Sequence, residues 1–240
     1  MATRGGPQRK GGRPAPARSR TGAAKPKPKP AQKPKPTPAA PTPSYGPFRL
    51  GAIPGATPGK WIDTWKTRMP RIALDLVPLI VADQRDAVTR GEVDAAIVRL
   101  PLDRDGLNVI PLYEETPVVV CSADSHLTAA DELTLDDLAG EVRIVPRDDV
   151  LSFDVAGTES PRFAAPETTG DAVETVATGV GIVIVPMSLA RLHHRKDVTF
   201  RPLVGAPASV VALAWPLEGA SELVDTFVGI VRGRTSNSSR

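Results

Sequence analysis

Several things are scarce in this chain, and each scarcity excludes something. One cysteine, Cys121, stands in 240 residues, so an internal disulfide is excluded and a thiolate-based metal cage with it. Cys121 ends the apolar run Val118–Val119–Val120, which predicts a buried thiol rather than a reactive one. Aromatic residues make up 4% of the chain, so the core must be mainly aliphatic. No apolar run approaches the ~20 residues of a membrane-spanning helix. The amino terminus carries charge but no apolar stretch of a secretory signal, and a cytoplasmic setting without membrane contact is expected.

The most informative scarcity is of acid. Residues 1–47 contain no Asp or Glu, yet hold 11 of the 30 Lys and Arg and 12 of the 26 Pro. The remaining 19 basic residues face all 27 acids, so a segment of charge +11 precedes a body of charge −8. Lys and Pro alternate from Lys25 to Pro36, a composition that cannot bury a core and predicts a disordered, locally polyproline II tail. Lysines on a stiff repeat favour DNA or another polyanion through counterion release. Lys10, Arg13, Lys25, Lys27 and Lys29 are the candidate contacts, and Gly12–Arg13–Pro14 is a three-residue match to an AT-hook core. A solubility tail is the alternative.

Catalytic signatures are missing too. The chain has no nucleophile elbow, phosphate loop, dinucleotide fingerprint or zinc signature, so neither an enzyme nor a cofactor is expected. His193 and His194 are neighbours, which on a helix point ~100° apart and do not share one ion. Asp136 and Asp137 read as solvated residues of a short helix capped by Thr134.

What is present after Pro47 is a pattern of short strands and amphipathic helices. Phe48–Ile53 reads as a strand broken by Pro54 and Gly55. Thr57 before Pro58 reads as the N-cap of a helix running to about Met69. Trp61 and Trp65 share one face of it, which suits a core or a dimer interface. Strands are expected at 72–77 and 93–98 around a helix at 82–90, and the nearly all-apolar third strand suits a parallel sheet buried on both faces. Further strands are expected at 108–112, 116–121, 142–145, 182–185, 198–203 and 209–215. A helix capped by Thr168 or Thr169 should end at Gly179, a short one should span 187–193, and a last one should start near Ser221 with Leu223, Val224, Phe227, Ile230 and Val231 on one face.

Three stretches occur in a telling order. Leu50–Gly51–Ala52–Ile53–Pro54 precedes a helix. Pro117–Val118–Val119–Val120–Cys121 leads through Asp124–Ser125–His126–Leu127 to Thr134–Leu135–Asp136–Asp137–Leu138. Val176–Ala177–Thr178–Gly179–Val180–Gly181–Ile182 ends at Val185–Pro186. Together, over about residues 48–232, they resemble the effector domain of LysR-type transcriptional regulators. The resemblance implies an α/β, two-lobed fold like type 2 periplasmic binding proteins. The domain would span 48–235, with lobe one at about 48–120 and 200–235 and lobe two at about 121–199. It also implies a small-molecule effector, often an anion, between the lobes, a role in transcriptional regulation, and a homodimer pairing through the first helix. The basic tail stands where that family keeps its helix-turn-helix.

In such a fold the candidate ligand contacts are Thr57, Pro58 and Gly59 at the first helix start, and Arg99, Leu100 and Pro101 after the third strand. Pro117 would lie near the hinge, and Thr168 and Thr169 at the facing helix start. Helix starts offer free N–H groups to an anion, and Arg99 could grip one by its fork. Each has a plainer reading: Thr57, Thr168 and Thr169 as caps, Arg99 as an ion-pair partner of Asp94 or Asp103. A nucleic-acid-associated protein with the body as a dimerising scaffold is the competing reading.

Overall fold

The computed structural model describes residues 46–233. The contacts proposed for Lys10, Arg13, Lys25, Lys27 and Lys29 lie outside them.

Two sheets organise the domain. The first has the order β2–β1–β3–β9–β4, built from β1 (Phe48–Ala52), β2 (Leu74–Pro78), β3 (Ala95–Arg99), β4 (Leu107–Glu115) and β9 (Ser209–Pro216). β1 runs parallel to β2 and β3, whereas β9 is antiparallel to β3 and β4. Every residue of β3 is buried, which is why its sequence lacks the alternation of a half-exposed strand. The second sheet has the order β6–β8–β5–β7, from β5 (Pro117–Ser122), β6 (Leu133–Thr134), β7 (Val183–Pro186) and β8 (Val198–Val204).

Helices α1 (Gly59–Arg68) and α5 (Glu222–Val231) cover one face of the first sheet. Trp65 is the anchor: its ring stacks on Phe48 at 4.7 Å and lies 6.0 Å from Phe227, which in turn is 5.1 Å from Phe48. Its indole N–H donates to the Ile72 carbonyl at 3.0 Å. Trp65 is thus a core residue, while Trp61 is only partly buried. The opposite face is closed by α2 (Gln84–Thr89) through Ala87 and Val88. In the second lobe, α3 (Thr169–Ala177) and α4 (Met187–Leu192) cover Val118, Val120, Val183 and Val185. Cys121 faces the other side of that sheet, fully buried beside Leu127 and Leu138. Burial pushes its thiol pKa up, opposed by a hydrogen bond from Ser125 and by the Arg201 charge. We predict that iodoacetamide leaves Cys121 unmodified in native protein at neutral pH and labels it in urea. Rapid labelling of native protein would contradict its burial.

The structure corrects several expectations. The chain crosses between sheets at Thr116 and again between Val204 and Ser209. Residues 117–120 and 200–204, expected in lobe one, therefore run in the second sheet. Residues 142–145 make no strand; only isolated bridges form, from Val142 to Glu159 and from Arg143 to Ile182, and Pro146 has no amide to extend them. Residues 134–138 give one 3₁₀ turn at Asp136–Leu138. There the capping roles reverse, since the Asp137 carboxylate accepts from the amide and hydroxyl of Thr134, both at 2.7 Å. Those bonds hold the Asp137 pKa below its usual value.

Candidate functional site

Because β1 and β2 are parallel, the turns that leave them emerge at the same end of the first sheet. Ligands in open α/β sheets sit at such ends. Here the turns supply Pro54 and Ile80–Ala82 to one wall of a cavity of about 680 Å³. The facing wall comes from the second lobe: Arg147–Val150, the start of α3 from Glu167 to Thr169, and Leu189, Leu192 and His193 of α4 and its end. The walls are mainly apolar, and Ile80 and Leu192 are more than half exposed. Large aliphatic side chains left open along a cleft suit an apolar ligand body.

Its polar groups are mostly committed. Thr168 caps α3 in a reciprocal arrangement with Asp171: its hydroxyl accepts from the Asp171 amide at 3.1 Å, and the Asp171 carboxylate accepts from the Thr168 amide at 3.2 Å. The buried Thr169 hydroxyl donates to Asp148 at 2.9 Å. Asp149 accepts from the amides of Leu151 and Ser152, each at 3.1 Å. Glu167 pairs with Arg147 at 3.1 Å on the exposed rim. The Thr169 and Gly170 amides lie in the first turn of α3, where no helix carbonyl reaches them. The His193 ring lies against this turn; a Cβ on Gly170 would stand 3.2 Å from His193 Nδ1.

A second cavity, of about 580 Å³, is lined by Gly55–Thr57, by Tyr113–Thr116 of the first crossing and by α4. Contact between the Gly55 turn and α4 stands beside it. Gly55 has φ 82°, and a Cβ there would lie 2.5 Å from Ser188 Oγ. Only glycine satisfies both the left-handed backbone and the close approach.

The sequence candidates therefore separate. Thr168 and Thr169 line the larger cavity and Thr57 the smaller, so they are not opposed across one space. Thr57 does not cap α1: the N-cap position is Pro58, without a side-chain hydrogen bond. Pro58 and Gly59 line neither cavity, nor do Arg99, Leu100, Pro101 and Pro117. Arg99 is 2% exposed and pairs with Glu115 at 2.7 Å, while Asp94 binds Arg49 and Asp103 binds Arg85. The Leu100 amide donates to Val210, and Pro117 starts β5 opposite Pro186. Sequence reasoning missed Ile80–Ala82, Asp148, Leu192 and the position of His193. Among the described residues no group of three or more His, Cys, Asp or Glu could hold a metal ion, and no helix is long and apolar enough to cross a membrane.

Comparison with known proteins agrees with this architecture. The effector-binding domain of BenM with its effector benzoate superposes with a TM-score of 0.64 at 18% identity, covering 78% of this chain and 91% of that one. The oxidised form of OxyR gives 0.63 at 21% identity, covering 81% and 98%. These likenesses show a shared two-lobed fold. In sequence, the Hca operon transcriptional activator HcaR of Escherichia coli K12 is 26% identical over 202 residues, covering 78% of this chain and 68% of HcaR. The regulator TtuA of Agrobacterium vitis is 32% identical over 176 residues, covering 65% and 55%. The chain spans 47% of MetR from Escherichia coli K12. These relatives are transcriptional regulators, not enzymes. Residues 43–236 match the LysR substrate binding domain, and the chain belongs to that family, the ligand-sensing part of LysR-type regulators.

Proposed function

We propose that the 680 Å³ cavity between the lobes is the effector site of a cytoplasmic transcriptional regulator, and that the effector is a small organic monoanion with an apolar body. One observation carries this: the cavity joins the carboxyl ends of parallel strands in one lobe to the amino end of α3 in the other. A molecule held there touches both lobes, so its binding biases their relative setting. Ile80, Val81, Leu189 and Leu192 would take the body. The Thr169 and Gly170 amides with His193 would take a single carboxylate. The nearby carboxylates of Asp148, Asp149 and Glu167 disfavour a second negative charge on the ligand. BenM, which shares the fold, takes benzoate, a monocarboxylate.

Thermal unfolding with a panel of monocarboxylates, dicarboxylates and the matching neutral amides tests this. At 100 times its dissociation constant a true effector adds about 2.7 kcal/mol to stability. A monocarboxylate is expected to raise the melting temperature of the native protein and to leave Ala82→Trp, which fills the cavity, unmoved. An equal shift in Ala82→Trp would place the site elsewhere, and preference for the dicarboxylates or amides would remove the monoanion.

Pairing of two copies belongs to the same proposal, supported by Leu76, 49% exposed on the edge strand β2. Sedimentation showing monomers at every concentration would remove it. The charge of the 1–47 segment supports a second proposal, that Lys10, Arg13, Lys25, Lys27 and Lys29 contact DNA or another polyanion. Gel shifts over a salt series should show binding by the full chain, weakening steeply with salt, and none by a truncation starting at Tyr45. Equal binding by both would exclude the segment.

A further inference from the structure

The two crossings between lobes are tied together by one buried side chain. The first leaves the first sheet at Glu115, the last residue of β4; the second returns at Ser209, the first residue of β9. Glu115 and Ser209 are direct partners across the β4–β9 ladder. Arg99, the last residue of β3, lies beside them on the far side of β9. Its Nη1 donates to Glu115 Oε2 at 2.7 Å and also to Ser209 Oγ. The three side chains are largely buried: Arg99 and Glu115 are 2% and 9% exposed, Ser209 is buried, and Glu115 borders the smaller cavity.

The backbone of Arg99 is itself held. Gln84 of α2 accepts from the Arg99 amide at 2.8 Å and donates to its carbonyl at 2.9 Å. Arg99 Nε, in contrast, is buried with no hydrogen-bond partner. Replacing a buried ion pair by apolar side chains of similar volume is often neutral or stabilising, so the pair is weak evidence for stability alone. Buried ion pairs are best attested where they select one arrangement over others.

We propose that Arg99 is a positioning residue of the interlobe hinge. By clamping Glu115 and Ser209 together it fixes where both connecting strands leave the first sheet, and so holds the two lobes in one relative setting. This goes beyond the effector site and does not depend on it, since the clamp acts in the unliganded protein.

Spin labels at Lys60→Cys, on α1, and Glu132→Cys, beside β6, report the separation of the lobes; buried Cys121 stays unlabelled. Dilution with unlabelled protein confines the measured distances to single chains. The double variant Arg99→Met with Glu115→Leu removes the clamp without leaving an orphan charge. Its distance distribution should be about twice as broad as in the parent, with the melting temperature retained, as expected of a freed hinge. An unchanged width at a retained melting temperature would overturn the proposal. Should the double variant fold poorly, Ser209→Ala serves instead: it removes one arm of the clamp and keeps the Arg99–Glu115 pair. Broadening supports the clamp, and a parental width in Ser209→Ala overturns it.

Discussion

Phe227→Ala is expected to cost about 3–5 kcal/mol, the range for truncating a fully buried aromatic. Phe227 is 0% exposed and touches both Phe48 and Trp65. These rings join three distant pieces of chain: the first strand, the first helix and the last helix. Phe48 and Trp65 are themselves fully buried and stacked on each other, so neither is free to fill the hole. The residual cavity then adds to the lost burial. In a domain of this size each kcal/mol moves the melting temperature by about 2–4 °C, so a fall of roughly 10 °C is predicted by calorimetry. A fall below about 3 °C would mean that α5 contributes little to the core.

Glu115→Ala should be comparably damaging, at about 3–5 kcal/mol, because it strands a buried cation rather than because the pair is strong. Arg99, itself 2% exposed, would keep its Ser209 contact but lose its counter-charge. The sign of the comparison is what matters. Replacing both partners by Met and Leu removes the unpaired charge, and its stability should lie close to that of the native protein. Chemical denaturation of the parent, the single variant and the double variant checks this as a coupling. If the double variant loses as much as Glu115→Ala, the cost comes from packing and not from charge.

The parts of the fold that were legible in sequence are those fixed by local pattern. The nearly all-apolar run of β3, the Val-rich β5 and β7, and the 3.6-residue spacing of Leu223, Val224, Phe227 and Ile230 each announce their element within a few residues. Thr168 was legible as a cap because Asp171 stands three residues on. Thr57 showed only half of that sign: a hydroxyl before proline with no acid three residues later, and it caps nothing. The role of Arg99 was not legible, because its partners are 16 and 110 residues away and meet it only through the β4–β9 register. The residues 142–145 misled for a related reason. They are rich in β-branched residues, but their partners are single bridges supplied by Glu159 and Ile182.

The cleft was half legible. Its α3 wall follows from the cap, but Ile80 and Val81 fell between the strand expected at 72–77 and the helix expected at 82–90. The signal available was topological. If Phe48–Ala52 and the next strand are parallel, the turns after both must open at one sheet end, and Ile80 then stands beside Pro54. Asp148 could not be assigned by any local rule, since its partner Thr169 is 21 residues away.

The central claim is that an effector sits between the lobes, against the first turn of α3. A crystal structure of the protein soaked with the best-stabilising monocarboxylate tests it most directly. The predicted result is ligand density between Ile80–Ala82 and Thr168–Thr169, with the carboxylate at the Thr169 and Gly170 amides. Density confined to the Tyr113–Thr116 cavity or to the outer surface, with this cleft empty, would contradict it.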